Sequence, residues 1–269
     1  MIGVFDSGFG GLTKLSAFID ELPEYDYIYL GDNARAPYGD HSKGIITEYT
    51  RQGVRFLFDK GANLVILACN TASSNALRTL QEEEIRGPQV KDRNILGVIF
   101  PIAEEVARLK AKRIGLIGTR ATVESGVYRE EISKGLKDFE LTQKACPLLV
   151  PLIEQGWVNR PETMEILESY LEEVKAANPE ILVPGCTHYS ILQDEIEEIM
   201  GPEVKVLETG KIVARSLRDY LGRHPEIESR LGKNGRRKFY CTDSPEEFKK
   251  IGETFFGHGI EQVELAKLG

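Results

Sequence analysis

Two of the four cysteines stand where a thiol can do chemistry. Cys69 ends the apolar run Leu64–Ala68 and is followed by Asn70-Thr71 and a helical pattern over Ala72–Glu84. Cys186 follows Ile181–Val183 and Pro184-Gly185, and is itself followed by Thr187-His188 and a second helical pattern. Ligands of open parallel sheets bind beyond the carboxyl ends of the strands. A thiol placed there, at the start of a helix, is stabilised as thiolate by the helix dipole. One free cysteine taken alone is more often a small buried hydrophobe. The same context met twice, each time beside hydrogen-bonding residues, favours function for this pair. Cys146, before Pro147, and Cys241, at a strand end, read as packing. His188 lies two residues past Cys186, near enough to tune the thiol or assist a proton transfer.

Other segments carry polar groups to the same kind of place. Phe5–Gly11 puts Asp6 and Ser7 at a strand's carboxyl end among glycines that allow a tight turn and a close backbone approach. A simple helix-capping turn competes with that reading. The segment is neither a dinucleotide fingerprint, which needs glycine or alanine where Thr13 stands, nor a phosphate loop, which needs Gly-Lys-Ser/Thr. Gly31–Gly39 is a loop rich in donors, with Asn33, Arg35, Pro37-Tyr38 and the Gly39 amide. Thr119 and Thr122 join a strand to a helix, where hydroxyls and free amides can hold an anion. Glu154 reads equally as a site carboxylate or a surface one. No Cys-x-x-Cys or His-x-x-x-His spacing supports a metal site.

These segments need a scaffold. Ile2–Phe5, Tyr27–Leu30, Leu64–Ala68, Ile95–Ile99, Ile114–Ile117, Leu148–Pro151, Ile181–Val183, Val204–Leu207 and Lys238–Cys241 read as strands. Several are apolar at consecutive positions, as in strands covered on both faces. Helical patterns lie between them: Ser42 to about Lys60, Ile102–Lys110 with Pro101 in its first turn, Val123–Leu136, Pro161–Ala177, Ser190–Met200, Lys211–Leu221 and a last one from Pro245. The alternation predicts an α/β fold with mostly parallel sheets. The chain also resembles itself: Gly3–Ser7 aligns with Gly115–Thr119 at an offset of 112, and Asn63–Thr71 with Glu180–His188 at 117. Two related halves explain both offsets; chance similarity of strand-then-turn segments is the alternative.

Composition narrows the function classes. The 269 residues suit one large or two small domains, and 34 basic against 42 acidic residues give a net charge of −8. A net-acidic chain is a poor nucleic-acid binder. With 41% apolar and 28% charged residues the chain is globular in composition. Four cysteines are too few for a disulfide scaffold, and a Cys69–Cys186 disulfide would be out of place in the cytoplasm. The longest apolar runs fall short of the roughly 18 residues of a membrane span. No basic n-region precedes Ile2–Phe5, so a leader is not expected and a cytoplasmic location is.

Six motifs together resemble the cofactor-independent aspartate/glutamate racemases, and glutamate racemases most: Val4–Leu12, Ala36–Gly39, Ala68–Thr71, Ile117–Thr122, Val150–Glu154 and Gly185–Tyr189. The resemblance implies two pseudo-symmetric three-layer α/β domains, 1–95 with 206–269 and 96–205, meeting at an active-site cleft. It implies Cys69 and Cys186 as acid and base on opposite faces of glutamate, assisted by Asp6, Glu154 and His188. Substrate binding falls on Asp6, Ser7, Pro37, Tyr38, Gly39, Asn70, Thr71, Thr119, Thr122, Thr187 and His188. Helix starts and neighbours such as His188 are then expected to bring the thiols toward neutral pH. The resemblance implies no cofactor, glutamate as the partner, no nucleic acid or membrane, a homodimer as the assembly left open, and a role in peptidoglycan supply. Departures lie at Val183-Pro184, Ser190 and Glu208-Thr209. An aspartate racemase, another acid isomerase of the superfamily, a one-thiol decarboxylase or a non-enzymatic acidic-ligand receptor are the competing readings; two cysteines disfavour the decarboxylase.

Overall fold

A computed structural model describes residues 1–85 and 93–269. The chain runs β1 (Ile2–Asp6), α1 (Leu12–Glu21), β2 (Tyr27–Gly31), α2 (Lys43–Asp59), β3 (Leu64–Leu67), α3 (Asn70–Glu84), β4 (Asn94–Gly97) and α4 (Ile99–Leu109). It continues with β5 (Arg113–Gly118), α5 (Arg120–Glu124), α6 (Val127–Gly135), β6 (Glu140–Ala145), α7 (Leu149–Glu154), α8 (Pro161–Ala176), β7 (Ile181–Gly185), a 3-10 turn (Thr187–Leu192), α9 (Gln193–Met200) and β8 (Lys205–Val206). The last part is α10 (Thr209–Arg223), α11 (Pro225–Glu228), β9 (Arg237–Cys241), α12 (Pro245–Phe256) and β10 (Val263–Leu265).

Two sheets form, ordered β10-β9-β2-β1-β3-β4 and β6-β5-β7-β8, with every ladder parallel. The apolar runs are the reason. Along β1, β2 and β3 alternate side chains point to opposite faces of the sheet. Ile2, Val4, Tyr27, Tyr29, Leu64 and Ile66 join the core that includes α1 and α10. Phe5, Ile28, Leu30, Val65 and Leu67 join the core under α2 and α3. A strand buried on both faces has no polar side to expose, so its sequence reads as a continuous apolar run.

The internal resemblance is structural. Ile2 pairs with Leu64 and Ile114 with Ile181; Gly3 pairs with Val65 and Gly115 with Leu182. The register between the two central strands is therefore the same in both halves, with the offsets of 112 and 117 carried residue for residue. The local order β2-β1-β3-β4 repeats as β6-β5-β7-β8.

Several expected elements come out differently. Leu148–Pro151 is not a strand: it lies at the start of α7, whose buried Leu149, Val150 and Ile153 have helical spacing. Four apolar residues cannot by themselves separate strand from helix. The strand of that region is instead β6, a sheet edge with mixed polar sequence, and β10 is a further edge strand that no apolar run announced. The expected helix Val123–Leu136 breaks into α5 and α6 at Gly126, whose φ of 67° lies in the left-handed region that glycine adopts without penalty. The expected strand Ile95–Ile99 is shorter, and α4 already begins at Ile99 with Pro101 in its first turn. Ser42 occupies the N-cap of α2 but makes no side-chain cap hydrogen bond. Ser190–Leu192 belongs to the 3-10 turn, with α9 starting at Gln193. No helix among the described residues is long and apolar enough to cross a membrane.

Candidate active site

The equivalent strands β3 and β7 each deliver a cysteine just past their carboxyl ends. Cys69 is the N-cap of α3: its sulfur accepts from the Ala72 amide at 3.5 Å and lies 3.5 Å from Ser7 Oγ. Cys186 precedes the 3-10 turn, with its sulfur 3.8 Å from His188 Nδ1. Both are nearly closed off, at 5% and 6% exposed. They are near enough for charge on Cys186 to act on Cys69. Cys146 and Cys241 are buried in the core as expected; the Cys146 sulfur leans on Lys144 O at 3.7 Å.

The expected fall of the thiol toward neutral pH does not occur at Cys69. Burial, with the Asp6 carboxylate adding to it, pushes the thiol up to about 12 against the Ser7 and Ala72 donors. Two weak hydrogen bonds to sulfur do not replace the hydration a thiolate loses. Buried in this way, Cys69 is held as a thiol.

Behind Cys186 stands a histidine–glutamate pair. His188 Nε2 lies 2.8 Å from Glu154 Oε1, while Nδ1 faces Cys186. Burial alone lowers the imidazole's pKa, but the bonds to Cys186 and Glu154 outweigh it and carry it up to about 10. Phe255 covers the ring edge-on at 5.3 Å. A cation stabilised in this way contributes stability that is complete below its ordinary pKa of 6.5 and is lost as pH rises toward 10. Denaturant midpoints of the parent and His188→Asn should therefore differ most near pH 6 and converge by pH 10. A difference constant across that range would remove the imidazolium from the account.

Asp6 completes the polar floor. It is fully buried at the end of β1, accepting from the Gly8 amide at 3.0 Å and from Thr187 Oγ1 at 3.4 Å. Burial raises its pKa, opposed by His188 and the Gly8 and Gly11 amides. Thr13 Oγ1 reaches Thr187 O at 3.3 Å, tying α1 to the 3-10 turn. Gly10 sits against the same turn: a Cβ there would collide with Thr187 Oγ1 and lie 2.5 Å from His188 Nδ1.

A hydroxyl cluster joins the halves from the other side. Thr71 Oγ1 lies 2.8 Å from Thr119 Oγ1 and 3.2 Å from Thr122 Oγ1, and Thr119 caps α5 through the Thr122 amide at 3.2 Å. Tyr128 donates to Asn70 Oδ1 at 2.7 Å, leaving buried Asn70 Nδ2 without a partner among the described residues. Such a donor favours an incoming acceptor. Gly39 packs on Thr119, where a Cβ would lie 2.7 Å from Thr119 Cβ. Tyr38, also buried, donates to Asp32; Pro37, after a cis peptide bond, is exposed beside it.

Not every donor of the 31–39 loop faces the site. Asn33 bonds Asp243 O at 2.8 Å, and Arg35 is taken by Asp32 and Gln52 and lies over Tyr49. Three groups escaped the sequence reading: Tyr128, Tyr29, whose hydroxyl holds Gly8 O at 2.9 Å, and Lys14. Lys14 left one trace, a charge four residues before Phe18 on a helix face otherwise apolar. Among the described residues no group of three or more His, Cys, Asp or Glu is placed to hold a metal ion.

The chain is similar over its length to known racemases. Residues 20–217 match the family model for Asp/Glu/Hydantoin racemase. The chain is 39% identical to the glutamate racemase of Persephonella marina over 99% of this chain and 98% of that one. It is 38% identical to that of Aquifex aeolicus, covering 97% and 95%. Its structure resembles the Francisella tularensis glutamate racemase in complex with D-glutamate, with a TM-score of 0.88, 33% identity and 99% and 97% coverage. Full-length similarity at this level, together with the fold, decides the matter: the chain belongs to the Asp/Glu/Hydantoin racemase family.

Proposed function

We propose that the protein interconverts L- and D-glutamate without a cofactor, using Cys69 and Cys186 as an acid/base pair on opposite faces of the α-carbon. The observation that carries this is the pair of buried thiols at register-equivalent strand ends, one with a histidine–glutamate pair behind it and one held as a thiol. The relatives named above, glutamate racemases over nearly their whole length, support the choice of substrate.

In the L-to-D direction the Cys186 thiolate takes the Cα proton, and the imidazolium of His188 holds the sulfur's charge until it does. The electron pair left on Cα is delocalised into the α-carboxylate. Cys69 then gives its proton to the opposite face, so one proton leaves and one arrives. Reversing the roles runs the reaction backward. The carboxylates are assigned to the Asn70 amide, the hydroxyls of Thr71, Thr119, Thr122 and Thr187, and backbone amides near Ser7 and Gly39. Fixed donors in a dry site stabilise developing charge without reorganising. Asp6 is assigned the charge balance next to both thiols.

The same reading divides the chain into domains 1–95 with 206–269 and 96–205, the first crossing falling at Val98 once β4 is counted with its sheet. It places the enzyme in the cytoplasm, where D-glutamate serves peptidoglycan synthesis, and keeps the homodimer as its assembly.

Purified protein given L-glutamate, D-glutamate or L-aspartate separately tests the proposal by chiral chromatography. Both glutamate enantiomers should converge on equal amounts, because enantiomers have equal free energy, and product formed in deuterated water should carry deuterium at Cα. Faster turnover of aspartate would reassign the substrate; no turnover of any of the three would end the proposal.

A further inference from the structure

Lys14 is fully buried, on α1, and its ammonium donates to the hydroxyl of Thr209, the first residue of α10. This is an unfavourable place for a cation. It has lost its water, its one hydrogen-bond partner among those described is neutral, and it stands at the positive end of a helix. An isolated buried ammonium is costly enough to be retained only where an anion compensates it.

The anions are those of the active site. Burial pulls the Lys14 ammonium down to about 8, and the charges that oppose it are Cys186 first and Asp6 next. Its neighbours at the start of α1 bring it to them: Gly11 packs on Asp6, where a Cβ would lie 2.5 Å from Asp6 Cβ, and Thr13 Oγ1 holds Thr187 O, next to Cys186, at 3.3 Å. Among the described residues no other counter-charge acts on Lys14 from the elements packed on α1. In α10, Glu208 is turned to Lys211, and Arg218 takes Glu21 at the far end of α1. In α12, Glu253 holds the Ile260 amide at 3.0 Å. In the 3-10 turn, His188 is itself cationic and already engaged with Cys186 and Glu154. Among the described residues around the Cys186 sulfur, Tyr128, Tyr189 and Cys146 are also within electrostatic reach, and each of these is held in its neutral form by burial.

We propose that Lys14 is a positioning residue that acts through Cys186: its buried charge, held in place by Thr209, is the second cation, after His188, that allows the Cys186 thiolate to form beside the Asp6 and Glu154 carboxylates. In formal charge, the cations Lys14 and His188 balance the carboxylates Asp6 and Glu154, and releasing the Cys186 proton adds one negative charge. Without Lys14 the same release adds a second. The inference rests on Cys186 being the base proposed above, but the ionisation of its thiol is measurable without turnover.

The test uses the full chain with Lys14→Met, which keeps the length and apolar stem, and Lys14→Gln, which keeps a hydrogen-bonding group for Thr209. Cys186 is alkylated with iodoacetamide across pH 6–10, and its modified peptide is followed by mass spectrometry. In both variants the midpoint for Cys186 should rise by about one pH unit, that is, about tenfold less thiolate at neutral pH. The kcat for L-glutamate should fall about tenfold with its pH limb shifted upward, while KM changes less than twofold. A folded variant with an unshifted Cys186 midpoint overturns the proposal. Failure of both neutral variants to fold, by circular dichroism, also overturns it, since the charge would then be structural. A parent chain that racemises nothing sinks the functional reading alone, leaving the alkylation midpoints to decide on Lys14.

Discussion

Cys69→Ser and Cys186→Ser will each lower racemisation by about 10³-fold or more in both directions, while leaving different partial reactions. A serine hydroxyl remains protonated at any pH the fold survives, so it can neither take the Cα proton nor, once neutral, give one up readily. General acid–base groups are worth roughly 10²–10⁴ each, and a two-base racemisation needs both. The variants are nevertheless distinguishable. Cys69→Ser retains the Cys186–His188–Glu154 side and should still exchange the Cα proton of L-glutamate for deuterium, slowly and with retained configuration. Cys186→Ser should do so only with D-glutamate. Proton NMR of each enantiomer in deuterated water reads both results in one series. Parent rates in both variants would eliminate the thiol pair, and exchange of the same enantiomer by both would eliminate the assignment of faces.

The second large effect is expected from a single methyl group. Gly10→Ala places a Cβ against Thr187 Oγ1 and 2.5 Å from His188 Nδ1. Both atoms belong to the turn that carries Cys186, and His188 is held on its far side by Glu154 and Phe255. With the ring held by those two contacts, the turn and Cys186 are expected to shift with it. A displacement approaching 1 Å at a reacting group costs about 10² in rate. We expect kcat/KM for both enantiomers to fall by about that factor. Gly10 is not in the left-handed region, so its backbone admits alanine and the protein should still fold. Gly44→Ala, in α2 with nothing near its added methyl, is the control: parent kinetics and a gain of up to about 1 kcal/mol in stability. Parent kinetics in Gly10→Ala would show that the 3-10 turn adapts and that its close packing on the glycine loop is unimportant for turnover.

Much of this molecule can be read before it folds, for identifiable reasons. β1, β3, β5 and β7 are buried on both faces, and a doubly buried strand must be apolar throughout, which makes it conspicuous. Because β3 and β7 lead into the cysteines, Cys69 and Cys186 stood out with them, and the offsets of 112 and 117 anticipated a shared register. The elements that were misread are those whose burial is decided by partners. β6 and β10 are edge strands with only partial cover, so their side chains need not be apolar. Leu149–Ile153 is as apolar as a strand, and only its packing in the second half makes it a helix.

The site divides along the same line. Residue types and spacing determined by themselves that two thiols would end two equivalent strands, each followed by hydrogen-bonding residues, because strand direction and helix start are local properties of the chain. Tertiary structure alone decided the proton affinities of Cys69 and His188. Cys69 sits at a helix start, which by itself favours thiolate, yet burial and Asp6 carry it to about 12. His188 by itself is a residue of ordinary imidazole basicity, yet Glu154 from 34 positions earlier and the Cys186 sulfur carry it to about 10. The net charge of −8 is likewise a property of the whole chain, whereas the cations that matter at the site, His188 and Lys14, are gathered there by folding. A pKa depends on the dielectric surroundings and on charges within a few ångströms, and in this fold those charges come from β1, α1, α7 and the turn after β7, segments distant in the chain that meet only when it folds.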